Sequence, residues 1–342
     1  MAGPRPTVRT IAAALQLSRS TVSNALRGLA GVKADTRERI RQYAAKVGYH
    51  PNPLAAKVMS QMRRRSDARH LGTLGVLELD EPDRPAAAAL FNDRLLQGIR
   101  KRAAELGFTA TYWRFGAGSQ TLKGLNKVLY CRGIEGLLFL PSWSEPNLMD
   151  VDWTRFTAVY TDYLIRHPPL HTVSTDHFRS MFDAVDKARA HGYRKVGFAV
   201  ARRADERLNG RWVGAYLSYL HQHPEMTYVP PLQVDEIRAE NFGPWFRQHK
   251  PDVVIAQWVD APRAMAAAGA EIPRTHGYIC LNVLSAPPEY TGYDLRPTLL
   301  GSRAAEMVIA QIEHHDRGPP EVPSNTLVPA RWMDRATLRR LR

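Results

Sequence analysis

Within the segment Leu17 to Arg27, LSRSTVSNALR, four residues are typed and spaced for one kind of chemistry. At 3.6 residues per turn Arg19, Ser20, Ser23 and Asn24 fall on one side of a short helix. A guanidinium fork, a carboxamide and two hydroxyls are the groups that hydrogen-bond base edges and grip phosphate oxygens in duplex DNA. The other side carries Thr21, Val22, Ala25 and Leu26, an apolar stripe that must pack on a neighbour, and Ser18 stands where an N-cap belongs.

That helix needs partners to hold it, and the flanks supply two. Upstream, Val8, Ile11, Ala12 and Leu15 form the stripe of a first helix, with only Gln16 and Leu17 before Ser18, so the turn between the helices is tight. Downstream, Asp35-Thr36-Arg37-Glu38 has capping-box spacing, Ile40, Tyr43, Ala44 and Val47 repeat the stripe, and Gly48 sits where a C-cap glycine belongs. Taken together, TVSNAL, TRERI and GYHPN in this order resemble the DNA-binding headpiece of the LacI/GalR family of bacterial transcription regulators, over about fifty contiguous residues. Two residues depart from the family pattern. Gln16 replaces the usual glycine of the turn, and Lys33 replaces the usual serine cap of the third helix, a role that Asp35 is expected to take over.

Charge agrees with the motif. The chain of 342 residues carries a net +14, and its first 70 residues hold 14 Lys and Arg against 3 Asp and Glu, leaving only +3 for the rest. A basic module joined to a nearly balanced one is the electrostatic footprint of nucleic-acid binding. With 44% hydrophobic residues and this length, two or three compact units are expected. The two cysteines, Cys131 and Cys280, suit a reducing compartment. No Cys/His cluster has metal spacing, no cofactor motif is present, and MAGPRPTVRT lacks the apolar core of an export signal, so a cytoplasmic protein is expected.

After the headpiece, Asn52 as N-cap and Pro53 at the first helical position start a short basic segment that runs to Arg65. The family resemblance implies a hinge helix here, one that pairs with its copy in a dimer and wedges a leucine into the minor groove. Counting from Asn52 puts Val58 in that place, with Met59 beside it. From Leu71 onward strands and helices alternate. The first series expects strands at 71–79, 109–113, 136–140 and 157–161, with helices at 88–106 and 122–130. The second expects helices at 178–190, 207–220 and 242–248, with strands at 195–200, 228–234 and 253–256. The expected fold is therefore a small all-α helix-turn-helix headpiece (1–51), a hinge helix and linker (52–66), and an α/β two-lobe domain of the periplasmic-binding-protein-like type (67–342).

Ligands of such lobes collect beyond the carboxyl ends of strands. By position the resemblance implies Asn92, Asp176, Arg211, Trp258 and Asn282 as effector contacts, and Arg211 is the foremost candidate because a guanidinium can take two hydroxyls or a carboxylate at once. Trp143 and Trp258 offer indole faces suited to sugars. Asn282 stands where the family usually has an aspartate. DNA contacts are expected from Ser18, Arg19, Ser20, Ser23, Asn24, Asn52, Val58 and Met59. The implied protein is a homodimeric repressor on pseudopalindromic double-stranded operator DNA, controlled by a small polar effector; a carbohydrate leads, with a purine or other metabolite as the alternative. Two other classes compete. A solute-binding protein needs an export signal and has no use for the headpiece. A carbohydrate-active enzyme could use the adjacent Asp205 and Glu206, but neighbours on a helix diverge by about a hundred degrees, and no Ser/His/Asp order accompanies them.

Overall fold

The computed structural model describes residues 8–26, 32–47, 71–116, 119–257 and 260–341. Three helices open the chain: α1 (Val8–Leu15), α2 (Arg19–Leu26) and α3 (Ala34–Lys46). They share a small core of their own, built on Ile11, Ala12, Val22, Ala25, Ile40 and Ala44, with Leu15, Leu26, Tyr43 and Val47 packed around it. The Ser18 side chain accepts a hydrogen bond from the Thr21 amide at 3.0 Å, so it caps α2 as its position predicts.

The turn between α1 and α2 is tight because Gln16 takes the left-handed conformation, φ +53°, and the Leu17 amide reaches back to the Ala12 carbonyl at 3.0 Å. A residue with a Cβ is held there at a cost. Gln16→Gly is expected to stabilise the headpiece by about 0.5–1 kcal/mol, read as a higher urea midpoint of the earliest helical transition; an unchanged midpoint would mean that the Gln16 side chain repays its strain. The third helix corrects the expectation for Asp35. Its N-cap is Lys33, without a side-chain cap bond, and Asp35 lies inside the first turn. There a carboxylate favours the positive end of the helix without closing it.

Two six-stranded sheets follow. The first orders β11-β5-β4-β3-β1-β2, from β1 (Gly72–Leu79), β2 (Phe108–Phe115), β3 (Ile134–Phe139), β4 (Thr157–Tyr160), β5 (His171–Thr175) and β11 (Asn325–Val328). The second orders β12-β10-β9-β8-β6-β7, from β6 (Val196–Ala201), β7 (Leu232–Val234), β8 (Val253–Ala256), β9 (Gly277–Cys280), β10 (Gly292–Asp294) and β12 (Arg331–Met333). Pairing is parallel throughout except between β10 and β12. Each sheet runs its first five strands in the doubly wound order 2-1-3-4-5, which puts a switch point at the carboxyl ends of β1 and β3, and of β6 and β8.

Helices cover the sheets: α4 (Ala86–Glu105) and α5 (Leu122–Cys131) belong to the first lobe, and α6 (His177–Ala190), α7 (Arg202–Arg207), α8 (Arg211–Gln222), α9 (Ala239–His249) and α10 (Asp260–Ala267) to the second. The last long helix, α11 (Pro297–His314), packs back on α4 in the first lobe. The lobes are therefore not two consecutive stretches. The chain crosses between them after Thr175, after Asp294 and after Val328, and the crossings are tied together: Thr175 Oγ1 donates to the Leu295 carbonyl at 3.3 Å, and the Asp176 amide to the Val328 carbonyl at 3.0 Å.

Two expected elements change. The helix expected at 207–220 is two, because Asn209 and Gly210 both adopt positive φ, 56° and 69°, and break it into α7 and α8. The strand expected at 228–234 shrinks to Leu232–Val234, since Pro230 and Pro231 lack the amide hydrogens a ladder needs. Among the described residues no helix is long and apolar enough to cross a membrane.

Candidate functional site: an interlobe cleft

The carboxyl ends of the strands from both sheets face a common cleft of about 640 Å³, its open mouth included. From the first lobe come Arg84 ahead of α4, Phe91 and Asn92 on α4, Ser142 and Trp143 after β3, and Asp162 after β4. From the second come His177, Arg207, Trp212, Gln257 after β8 and Asn282 after β9.

The guanidinium groups of this cleft already face carboxylates. Arg84 donates to Glu78, to Glu81 at 2.9 Å and to the Leu79 carbonyl at 2.9 Å. Burial alone would raise the Glu78 carboxyl, but hydrogen bonds from Asn92, Tyr112 and Arg84, with the Arg84 charge, bring it below the ordinary carboxylate value. Glu81 is also lowered: burial opposes it, and the Trp143 amide, Arg84 and Ser144 outweigh burial. Its oxygens accept from the Trp143 and Ser144 amides at 2.8–3.0 Å, which pins the loop that carries the Trp143 indole.

Across the gap, Arg207 of α7 forms an ion pair with Asp162, both side chains largely buried. The Arg207 guanidinium also lies 5.1 Å from the centre of the Trp143 ring. Arg203 Nη2 donates to the Trp143 carbonyl at 3.3 Å, and Arg166 to Asn209 at 3.1 Å. The short α7 and the turn after it are thus the second lobe's clamp on the first.

Several buried polar atoms on this surface have no protein partner: His177 Nδ1, Trp212 Nε1, Gln257 Oε1 and Arg207 Nε. Buried donors and acceptors are normally satisfied. His177 opens α6 with its ring edge-on to Trp212, centroids 5.2 Å apart. Burial first, and the Arg211 charge second, pull its pKa down to about 3, so the imidazole is neutral and offers one donor and one acceptor.

The residues expected to bind an effector divide. Asn92 and Asn282 line the cleft. Both are engaged: Asn92 Nδ2 donates to Glu78 at 2.6 Å and to the Pro141 carbonyl at 3.1 Å, and Asn282 Oδ1 accepts from the Leu284 amide at 3.1 Å. Asp176 caps α6 through the Arg179 amide at 3.0 Å. Arg211 stands outside the lining, its guanidinium 4.2 Å from the centre of the Tyr163 ring, and the side chain that enters from the same helix is Trp212. Trp258 lies outside the described residues, as do Asn52, Val58, Met59 and Gly48. Arg19, Ser20, Ser23 and Asn24 all lie on α2, between capping Ser18 and the buried Val22 and Ala25. Sequence reasoning missed Arg84, Asp162, Arg207 and Gln257. The rule that ligands gather after strands would have found Asp162 and Gln257; Arg84 and Arg207 are found only through their carboxylate partners.

The adjacent carboxylates are no acid–base pair. Asp205 Oδ1 accepts from the Trp212 and Val213 amides at 2.9 and 3.3 Å and so caps α8; burial raises its carboxyl although those amides oppose it. Cys280 is buried, which pushes its thiol up to about 11 and away from nucleophilic chemistry.

Comparison with known proteins agrees with this architecture. The family described as bacterial regulatory proteins, lacI family, matches residues 7–52, and the periplasmic binding protein-like domain matches residues 185–338. The HTH-type transcriptional regulator MalR of Streptococcus pneumoniae is 22% identical over 193 residues, which span 56% of this chain and 56% of that relative, so the match takes in little more than half of its length. Among solved structures, a complex of the transcriptional regulator CelR with cellobiose superposes with a TM-score of 0.60 at 18% identity, covering 97% of this chain and 100% of that one. A lac repressor dimer bound to operator and the anti-inducer ONPF gives 0.58 at 16%, covering 98% and 99%. At such identities these two likenesses speak to the fold.

Proposed function

The chain belongs to the lacI family of bacterial regulatory proteins, and from that membership we propose that it is a sequence-specific DNA-binding transcriptional regulator, a repressor and not an enzyme. In this reading a homodimer in the cytoplasm binds a pseudopalindromic operator, and a small polar effector, a carbohydrate, sets its affinity from between the lobes. The headpiece spans 1–51, the hinge 52–66 and the effector domain 67–342. Ser18, Arg19, Ser20, Ser23 and Asn24 meet DNA from α2, and Asn52, Val58 and Met59 from the hinge. Asn92, Asp176, Arg211, Trp258 and Asn282 serve the effector.

The observation that carries the proposal is the pairing, in one chain, of a capped recognition helix with a two-lobe cleft whose buried polar atoms lack protein partners. The cellobiose in the CelR structure supports the choice of a sugar. The effector acts by linkage: it shifts operator affinity only so far as it prefers one lobe arrangement, which the three crossings transmit.

Genomic footprinting followed by affinity measurements on the recovered site tests this. Arg19→Ala is expected to cost about 1–3 kcal/mol on that site and little on random DNA, because arginine reads guanine bidentately. Non-specific affinity should fall steeply with salt. Equal losses on both DNAs would reduce Arg19 to a phosphate contact, and salt-independent binding would overturn the DNA-binding reading.

A further inference from the structure

We infer that the cleft selects uncharged, polyhydroxylated ligands over their phosphorylated or carboxylated counterparts, and that Asp162, by holding Arg207, is the residue that enforces the choice. The inference rests on the reading of the cleft as the effector site and adds the charge class of what enters it.

Among the described residues that line the cleft, two are guanidinium groups, and each already faces a buried carboxylate, while the Nε of each has no protein partner. Arg84 spends Nη1 on Glu78 and Nη2 on Glu81 and the Leu79 carbonyl. Arg207 spends Nη1 on Asp162, whose side chain is 6% exposed. Arg211 is outside the lining and stacks on Tyr163. His177, which could have supplied a positive charge, is neutral in its buried place.

A phosphate or carboxylate entering the cleft would either take Arg207 from Asp162 or share it through the unpartnered Nε. The first leaves a buried carboxylate without its partner, the costly way to break such a pair, and the second sets two like charges side by side on one guanidinium. A hydroxyl meets no such conflict. It can accept from Arg207 Nε, which has no partner, and donate to a carboxylate oxygen of Asp162, leaving the ion pair in place. His177 Nδ1 and Gln257 Oε1 offer further unpartnered neutral sites for a second and third hydroxyl, and the Trp143 indole, held by Glu81, offers an apolar face for a ring. Asp162 follows β4 and Arg207 ends α7, so ligand choice and lobe clamping share one contact.

The test titrates the full chain, by calorimetry and by tryptophan fluorescence, with glucose, ribose and cellobiose, with glucose 6-phosphate and ribose 5-phosphate, and with inorganic phosphate. For the native protein any phosphorylated sugar should bind about a hundredfold more weakly than its neutral counterpart, or not at all. The isosteric Asp162→Asn frees Arg207 and should gain at least about tenfold in affinity for inorganic phosphate. That gain should vanish in Asp162→Asn/Arg207→Gln, which separates the cleft from anion binding by the basic headpiece. Phosphate bound by the native protein but not by the double variant would overturn the inference, as would an Asp162→Asn protein with native near-ultraviolet circular dichroism and no gain. If Asp162→Asn fails to fold, the native and double-variant titrations still decide. Failure of every neutral sugar to bind would count against the carbohydrate reading alone, since the phosphate comparison tests Asp162 without it.

Discussion

Acidification from pH 6.5 to 5 should destabilise the native protein through His177 by about 2 kcal/mol, and by about 3 kcal/mol at pH 4. The folded-state pKa of His177 is depressed to about 3, first by burial and then by the Arg211 charge. The sign follows from proton counting. Below its ordinary value of 6.5 the unfolded chain takes up a proton that the folded chain refuses, so stability falls as pH falls and the loss levels off only near pH 3. The lowered carboxylates, Glu78 and Glu81 among them, add their own loss at lower pH, because their stabilisation is present above the unfolded value of 4.5 and disappears as pH falls through the folded one. In the interval from pH 6.5 to 5 the carboxylates add little, and since His276 is also lowered by burial, the comparison with a His177 variant is what isolates this imidazole. Urea titrations of the native protein and of His177→Phe, which keeps a ring against Trp212, should separate by that amount at pH 5 after normalisation at pH 7. Parallel curves would show that the imidazole finds a proton acceptor in the fold.

The same side chain shows what a sequence can disclose. The recognition helix was legible because its rules are local: a cap, a stripe of period 3.6 and a basic composition all lie within ten residues. Most strands and helices of the lobes were legible for the same reason, as runs such as Val253–Ala256 bury every residue. What stayed hidden was long-range. His177 opens a helix and reads as a surface residue until α8 brings Trp212 against it. Nothing near Asp162 announces that Arg207, 45 residues later, will neutralise it. The return of α11 to the first lobe was equally hidden, since a helix carries no mark of which sheet it covers. Arg211 and Trp212 show the same limit: the type of Arg211 suits a ligand, but only the packing of α8 shows that Trp212 is the side chain lining the cleft.

Gly301→Val should be among the most damaging single substitutions in the first lobe, with a cost of about 3 kcal/mol or more. Helices α4 and α11 cross backbone to backbone: a Cβ on Gly301 would lie 2.1 Å from the Leu95 carbonyl oxygen, and one on Gly98 would lie 2.0 Å from the Thr298 carbonyl oxygen. Neither obstacle is a side chain that can swing away, so the helices must part. The cleft depends on this crossing, because α4 delivers Phe91 and Asn92 to its wall and α11 delivers Leu300 directly after a lobe crossing. Gly214, on α8, is the control. A Cβ there meets nothing within 4 Å, and Gly214→Ala should be neutral or stabilising by up to about 1 kcal/mol. Chemical denaturation of both variants measures the difference, and equal stabilities would mean that α11 can slide without loss. The headpiece has a core of its own. Operator binding by a Gly301→Val protein that still dimerises should therefore outlast its response to any cleft ligand, and a response lost together with DNA binding would instead place the transmission of lobe movement in the α4–α11 contact itself.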